Sequence, residues 1–153
     1  MIPHEWLLAA DSRIRPTVLV TPVTEDPRKG IFLKWENHQV TGSFKLRGAL
    51  NKILTLEPWE RERGLVTCSA GNHGQGAAVA ASQTNSHLIV FASAHAVPTK
   101  IKAMQALGAE VRLVAGGYEM AEQAAQQFAQ KEQMTFISPY NDGQIIAGQG
   151  TIG

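Results

Sequence analysis

The sequence predicts an α/β fold: an open, twisted parallel sheet with helices on both faces. Two observations predict it. Apolar runs rich in β-branched residues alternate with helical patterns, which is the mark of strand–helix units. Four of these runs begin near residues 65, 88, 110 and 134, a spacing of about one strand plus one crossover helix. Crossovers of this kind are right-handed, and ligands of such sheets sit at the carboxyl ends of the strands.

The elements follow in chain order. Ile31-Phe32-Leu33-Lys34-Trp35-Glu36 reads as a strand. Ser43 to Leu56 reads as a helix with Leu46, Ala49, Leu50, Ile53 and Leu54 on one face. Ser43 or Thr41 can cap it and Pro58 marks its end. Leu65-Val66-Thr67-Cys68-Ser69 is a strand, followed by alanine-rich helical sequence from His73 to about Ser82. Leu88-Ile89-Val90-Phe91-Ala92 is the next strand. Pro98 opens a helix that carries Ile101, Met104 and Leu107 and stops at Gly108. Glu110 to Val114 is a strand. The helix after Gly117 buries Ala121, Ala124, Ala125, Phe128 and Ala129, and Thr135 to Ser138 is a last strand. Gly143 to Gly153 reads as the start of a helix that the chain cuts short, with Ile145, Ile146 and Ile152 marking a buried face.

Composition narrows the function. The chain has 153 residues, enough for one domain, and its 44% hydrophobic and 18% charged fractions are those of an ordinary folded protein. A net charge of +1 without a basic stripe argues against nucleic acid as a partner. The start Met1-Ile2-Pro3-His4-Glu5-Trp6 lacks the basic and apolar regions of a signal peptide, and no apolar run is long enough to span a membrane. The single cysteine, Cys68, excludes an internal disulfide, so a cytoplasmic location is the default expectation. The five histidines show no ligand spacing, and no metal site is expected.

Two motifs carry chemistry. The first is Thr41-Gly42-Ser43-Phe44-Lys45-Leu46-Arg47-Gly48. A turn feeds a helix, and Lys45 falls in the first turn, against the helix dipole. Arg47 adds a second positive charge nearby. Both effects favour a neutral amine, the form that nucleophilic amine chemistry needs, including Schiff bases with carbonyl cofactors. A solvated lysine that tolerates a small penalty is the alternative.

The second motif, Ser69-Ala70-Gly71-Asn72-His73-Gly74-Gln75-Gly76, joins a strand to a helix. Its glycines allow close backbone approach and positive φ, and the helix start offers free N–H groups for an anion. One reading is a tight turn with Asn72 as helix cap. A dinucleotide loop fits poorly, because the spacing is GxxGxG and the next strand ends Phe91-Ala92-Ser93-Ala94 without an acidic residue. A carboxylate-binding loop beside a cofactor is a third reading. A thiolate pair of Cys68 and His73 is a weaker fourth, since Cys68 sits on an apolar strand as a packed thiol.

Together and in order, the two motifs resemble the fold-type-II pyridoxal-phosphate enzymes, whose architecture is that of the tryptophan synthase β chain. The branch they resemble is that of the threonine/serine dehydratases (threonine ammonia-lyases) and serine racemase. Leu33-Lys34-Trp35-Glu36-Asn37, Ala106-Leu107-Gly108-Ala109-Glu110-Val111 and Ile146-Ala147-Gly148-Gln149-Gly150-Thr151 extend the match over nearly the whole chain. The resemblance implies that Lys45 forms the Schiff base with pyridoxal 5'-phosphate and later acts as general base. It implies that Asn72 bonds the pyridine 3-oxygen and that Phe44 packs beside the cofactor. Ser69, Ala70, Gly71, Asn72 and His73 would form the substrate-binding loop. The implied reaction is β-elimination of L-threonine or L-serine to a 2-keto acid and ammonia. Racemases of the family place a serine at the position of Ala70, so Ala70 favours the dehydratase over a serine racemase-like enzyme.

Members run to about twice this length, as two domains of ordinary size would. The resemblance therefore implies an N-terminal part only. Residues 1–40 would pack on a further large domain, 41–142 would form a small α/β domain, and 143–153 would begin a truncated helix. The glycine loop for the cofactor phosphate lies outside this sequence; Gly116-Gly117 reads as a turn. A fragment without cofactor or activity is the alternative, and a homo-oligomer or a C-terminal half would cover its exposed apolar surface. Asn85-Ser86-His87 departs from the family by replacing a helix-ending glycine turn, and Phe91-Ala92-Ser93 by replacing a strand end that carries proline.

Overall fold

A parallel sheet needs cover on both faces, because each crossover lays a helix on one side of buried strands. The computed structural model describes residues 2–153. Its first half runs α1 (His4–Ile14), β1 (Val23–Asp26), β2 (Ile31–Lys34), α2 (Lys45–Leu54) and α3 (Pro58–Glu62). Then come β3 (Leu65–Cys68), α4 (Asn72–Gln83), β4 (Leu88–Ser93), α5 (Pro98–Ala106) and β5 (Glu110–Val114). The chain closes with α6 (Tyr118–Glu132), β6 (Thr135–Phe136) and α7 (Gly143–Gly150).

The parallel sheet has the order β5-β4-β3-β6. Leu65 pairs with Leu88 on one side and with Thr135 on the other. The chain therefore winds outward from β3 to β5, then crosses back to place β6 on the opposite flank of β3. That reversal opens a crevice at the carboxyl ends of β3 and β6, where α/β sheets take their ligands.

Strand alternation divides the core. Leu65, Leu88 and Val90 meet Leu46, Leu50, Ile53, Ala77, Ala81 and Met104 on one face. Val66, Cys68, Ile89 and Phe91 meet Ala121, Ala125 and Ala129 of α6 on the other. The alanines allow close approach without leaving voids. Small residues also set the distance between helices. A Cβ on Gly76 of α4 would lie 3.0 Å from both Cα and N of Leu46. A Cβ on Gly148 of α7 would lie 2.7 Å from Cα of Gly48. The helix α2, which carries Lys45, is thus held backbone to backbone on two sides.

The predicted parallel sheet and its helices are present, with bounds that shift by a few residues: α2 and β6 are shorter than expected, α4 and β4 slightly longer. Helix α2 spans Lys45–Leu54, and the Ser43 hydroxyl accepts from the Lys45 amide at 3.3 Å. The expected strand at Ile31 ends at Lys34, and Glu36 begins a 3-10 turn. Three elements were not expected: α1, α3 and β1, the antiparallel partner of β2 (Val23 opposite Lys34). Pro58 ends α2 only indirectly, since it is the first residue of α3. Asn85 takes the left-handed conformation (φ 51°) that the missing glycine would have supplied after α4. Helix α7 packs on α1 and α2 and is capped by Asp142, whose carboxylate accepts from Gln144 and Ile145. Among the described residues no helix is long and apolar enough to cross a membrane.

Candidate active site

The start of α2, the β3–α4 loop and the segment after β6 meet in one open cleft of about 290 Å³. Lys45, Ser69, Ala70, Gly71, Asn72 and His73 all line it, joined by Cys68, Lys100, Tyr118, Pro139 and Tyr140. The two motifs, more than twenty residues apart, converge because β3 ends where α2 begins and Gly76 lets α4 touch the backbone of Lys45 and Leu46. A larger hollow of about 570 Å³ lies across α1 and residues 150–153. Its one buried cation, Arg47, is already paired, so the smaller cleft is where chemistry is possible.

Lys45 Nζ donates to the Pro139 carbonyl at 3.2 Å and lies 4.9 Å from the Tyr140 ring centroid and 5.5 Å from that of Phe44. Its pKa is held below the usual lysine value, as the sequence suggested, but burial is the cause. Arg47 plays no part in it. Arg47 points away, buried, and its Nε and Nη2 each donate at 2.8 Å to the Glu36 carboxylate. The pair links α2 to the turn after β2, and the Thr21 hydroxyl also donates to Glu36 at 2.6 Å. Arg47 is therefore an anchor of Lys45's helix rather than an electrostatic neighbour of its amine. Phe44 flanks the amine but is 39% exposed and does not line the cleft.

The loop is built around Ser69. Its buried Oγ accepts from the Gly71 amide at 3.1 Å and the Gly74 amide at 2.9 Å. Ser69, not Asn72, ties down the start of α4, which removes the helix-cap reading of Asn72. The Asn72 side chain is exposed and makes no hydrogen bond among the described residues, so its amide is free for a ligand. The backbone amides of Asn72 and His73 likewise have no acceptor among the described residues. None of the loop glycines has positive φ. They serve close approach instead: a Cβ on Gly74 would strike the Met104 sulfur, and one on Gly76 would meet α2.

His73 is 4% exposed, and both ring nitrogens lack a well-formed hydrogen bond. Burial pushes its pKa down to about 4; the charge on Lys45 adds to this and the Ile137 carbonyl opposes it. The ring is neutral at pH 7. Cys68 is buried, and burial with the Glu122 charge pushes its thiol up to about 11, so it is no thiolate partner for His73.

Tyr118, Pro139, Tyr140 and Lys100 were not foreseen. Tyr118 and Tyr140 pack edge to face with centroids 6.3 Å apart. The rule that singled out Ser69 would have found all but Lys100, which lies inside α5. Tyr118 follows β5, and Pro139 and Tyr140 follow β6, each just past a strand's carboxyl end.

An amine with a lowered pKa, free helix-start amides and an exposed side-chain amide are donors and acceptors of the kind that an aldehyde cofactor and an amino-acid carboxylate require. Residues 13–153 match the family described as pyridoxal-phosphate dependent enzymes. Over 123 residues the chain is 46% identical to an L-threonine ammonia-lyase of Thermotoga maritima, covering 80% of this chain and 31% of that protein. It superposes on the processed threonine deaminase isoform 2 of Solanum lycopersicum with a TM-score of 0.89 at 31% identity, covering 97% of this chain and 43% of that one. It also superposes on a serine racemase of Dictyostelium discoideum with a TM-score of 0.87 at 34% identity, covering 97% of this chain and 50% of that one. The chain thus spans between 31% and 50% of the length of these relatives.

Proposed function

We propose, from the premise that this chain belongs to the pyridoxal-phosphate dependent enzyme family, that it is the N-terminal portion of a threonine/serine dehydratase. The single observation that carries this reading is the convergence of Lys45 with the Ser69–His73 loop in one cleft. Pyridoxal phosphate, when bound, supplies an aldehyde for an amine and a ring that delocalises charge from the substrate's α-carbon. Lys45 is the residue that would hold it covalently, and Asn72 would donate its side-chain amide to the ring oxygen. Phe44 would flank the amine.

The chain's own residues then do three things. Ser69 shapes the loop so that the Asn72 and His73 amides receive the substrate carboxylate, with its own hydroxyl proton left to donate. Lys45 Nζ, whose pKa burial lowers, takes the α-proton as general base. Ala70 has no proton to deliver to the opposite face of the substrate. Loss of the β-hydroxyl as water would leave an enamine, and hydrolysis of its imine tautomer by a second water would give the 2-keto acid and ammonia. A racemase is the second reading, favoured by the likeness to serine racemase and opposed by Ala70.

The domain reading accompanies this. Residues 41–142 form the small α/β domain, residues 1–40 face a further domain, and 143–153 lead toward it. Support comes from apolar side chains left in the open at Val20 (94% exposed), Val23, Phe32 and Val40. A second domain or a partner chain would cover them. The lone buried thiol of Cys68 suits a cytoplasmic setting.

The test is spectroscopic. The chain is incubated with pyridoxal phosphate and reduced with borohydride, and peptides are mapped by mass. A cofactor adduct confined to Lys45 and lost in Lys45→Ala supports the reading. No adduct at saturating cofactor leaves a chain that binds no cofactor by itself. For the reaction, an extended protein should release keto acid from L-threonine and L-serine, and Ala70→Ser should raise racemisation. Racemisation without elimination in the unaltered protein would reverse the order of the two readings.

A further inference from the structure

Lys100 stands where its charge has no partner. It occupies the first turn of α5 and lines the cleft, and among the described residues its side chain makes no ion pair or hydrogen bond. A Cβ on Gly71 would lie 3.1 Å from both Cδ and Nζ of Lys100, so the ammonium hangs directly over the loop. Beneath it are the unpaired amides of Asn72 and His73, which are positive as well. Lys45 brings another amine into the same cleft, and no aspartate or glutamate lines it. An ammonium above helix-start amides with no acid among them is an arrangement of like partial charges. It becomes favourable when an anion lies between them. The buried ring of His73, which lines the same cleft and has no well-formed hydrogen bond at either nitrogen, independently marks a polar group still short of a partner.

We propose that Lys100 is a further carboxylate-binding residue of this site, closing over Gly71 to grip the substrate's carboxylate together with the amides at the start of α4. The assignment rests on the reading of Ser69–His73 as the carboxylate loop, but not on cofactor binding. It gives Gly71 a second task. Any side chain there would push the ammonium off the loop, so glycine is needed for access by the lysine as well as by the ligand. It also explains why an exposed lysine stem lies along the loop instead of extending into water.

The test uses the whole 153-residue chain and propionate as the probe, a carboxylate with no amine to react with Lys45. Amide chemical shifts of Gly71, Asn72 and His73 are followed as propionate is added, at low and at moderate salt. Saturable shifts of these amides are expected. Lys100→Gln should weaken the Kd roughly tenfold and flatten its salt dependence, while Lys100→Arg should restore both. A lysine with only a structural role would move the melting temperature and not the salt slope. Inorganic phosphate is run in parallel. Loop shifts with phosphate but none with propionate would overturn the assignment. So would a Kd unchanged in Lys100→Gln, or an absence of loop shifts in the unaltered chain. Borohydride labelling of Lys45 is scored separately. Loss of labelling with propionate binding intact would sink the cofactor reading and leave Lys100 standing.

Discussion

Arg47→Met removes one end of the buried ion pair that anchors Lys45's helix. Arg47 is 4% exposed. It makes two 2.8 Å bonds to Glu36, a 3.2 Å bond to the Thr151 hydroxyl and a 3.4 Å bond to the Leu19 carbonyl. Methionine fills much of the stem's space, so the loss is mainly electrostatic. Glu36 is left with the Thr21 hydroxyl as its neutral donor. Stranding one buried charge costs about 3–5 kcal/mol. The Glu36 side chain keeps 11% of its surface, which places the cost near the lower bound of about 3 kcal/mol. In a domain of this size that corresponds to a fall of about 6–12 °C in Tm. Urea and thermal unfolding of the single variant, Glu36→Gln and the double variant would measure it. The double variant should be more stable than the sum of the two losses, because no charge is then stranded. The Arg47 guanidinium and the Thr21 hydroxyl hold the Glu36 carboxyl below its ordinary pKa. The pair's contribution is therefore present above the unfolded carboxylate pKa and disappears as pH falls through the folded value. The gap between the parent and Arg47→Met should close under acid. A Tm loss under 2 °C, or strict additivity in the cycle, would refute the anchoring role.

Three further outcomes are expected. Gly76→Val places branched carbons against the backbone of Lys45 and Leu46, costs about 1–3 kcal/mol by overpacking, and should slow cofactor labelling of Lys45; stability with labelling unchanged would remove Gly76 from the site's construction. His73, held neutral down to about pH 4, takes up a proton near pH 6.5 once unfolded, so the fold should lose up to about 3 kcal/mol as pH drops between those values. His73→Gln should flatten that dependence in urea titrations, and an unchanged pH profile would show that the ring is not the group responsible. Lys45→Met relieves the burial of an amine, so it should abolish labelling while leaving Tm equal or higher; a clear drop in Tm would mean that the bond to Pro139 outweighs that burial.

Strands β3 and β4 were legible because each is an almost uninterrupted buried run, whereas β5 was legible from the apolar content of Val111, Leu113 and Val114 although it is only partly buried. Helix α1 was not: Leu8 is exposed, its N-cap residue Pro3 makes no side-chain cap, and Trp6 finds its packing only against Gly143 of α7. Strand β1 (Val-Thr-Glu-Asp) is exposed along most of its length, so it carries no burial pattern to read. In the site, Lys45 and the Ser69–His73 loop were found by helix-end and strand-end arguments that need no tertiary contact. The cause of Lys45's lowered pKa was misread. Sequence shows that Arg47 is two residues away, but not that it turns its back on the amine to meet Glu36. Lys100 was missed because it lies inside α5, away from any strand end, and only the fold brings it over Gly71.

The glycine contacts on either flank of α2 have a consequence for how this site can diversify. Gly76 and the Gly48–Gly148 pair leave no room for side chains to be exchanged around the lysine's helix. The walls of the cleft at Tyr118 and Tyr140 belong instead to connections beyond β5 and β6, where residues can change without disturbing that packing. The chain separates a frozen part, which sets where the amine stands, from a replaceable part, which sets what lies in front of it. Within this chain, changes in what the cleft admits should fall in the second part and leave α2, Gly76 and Gly148 untouched.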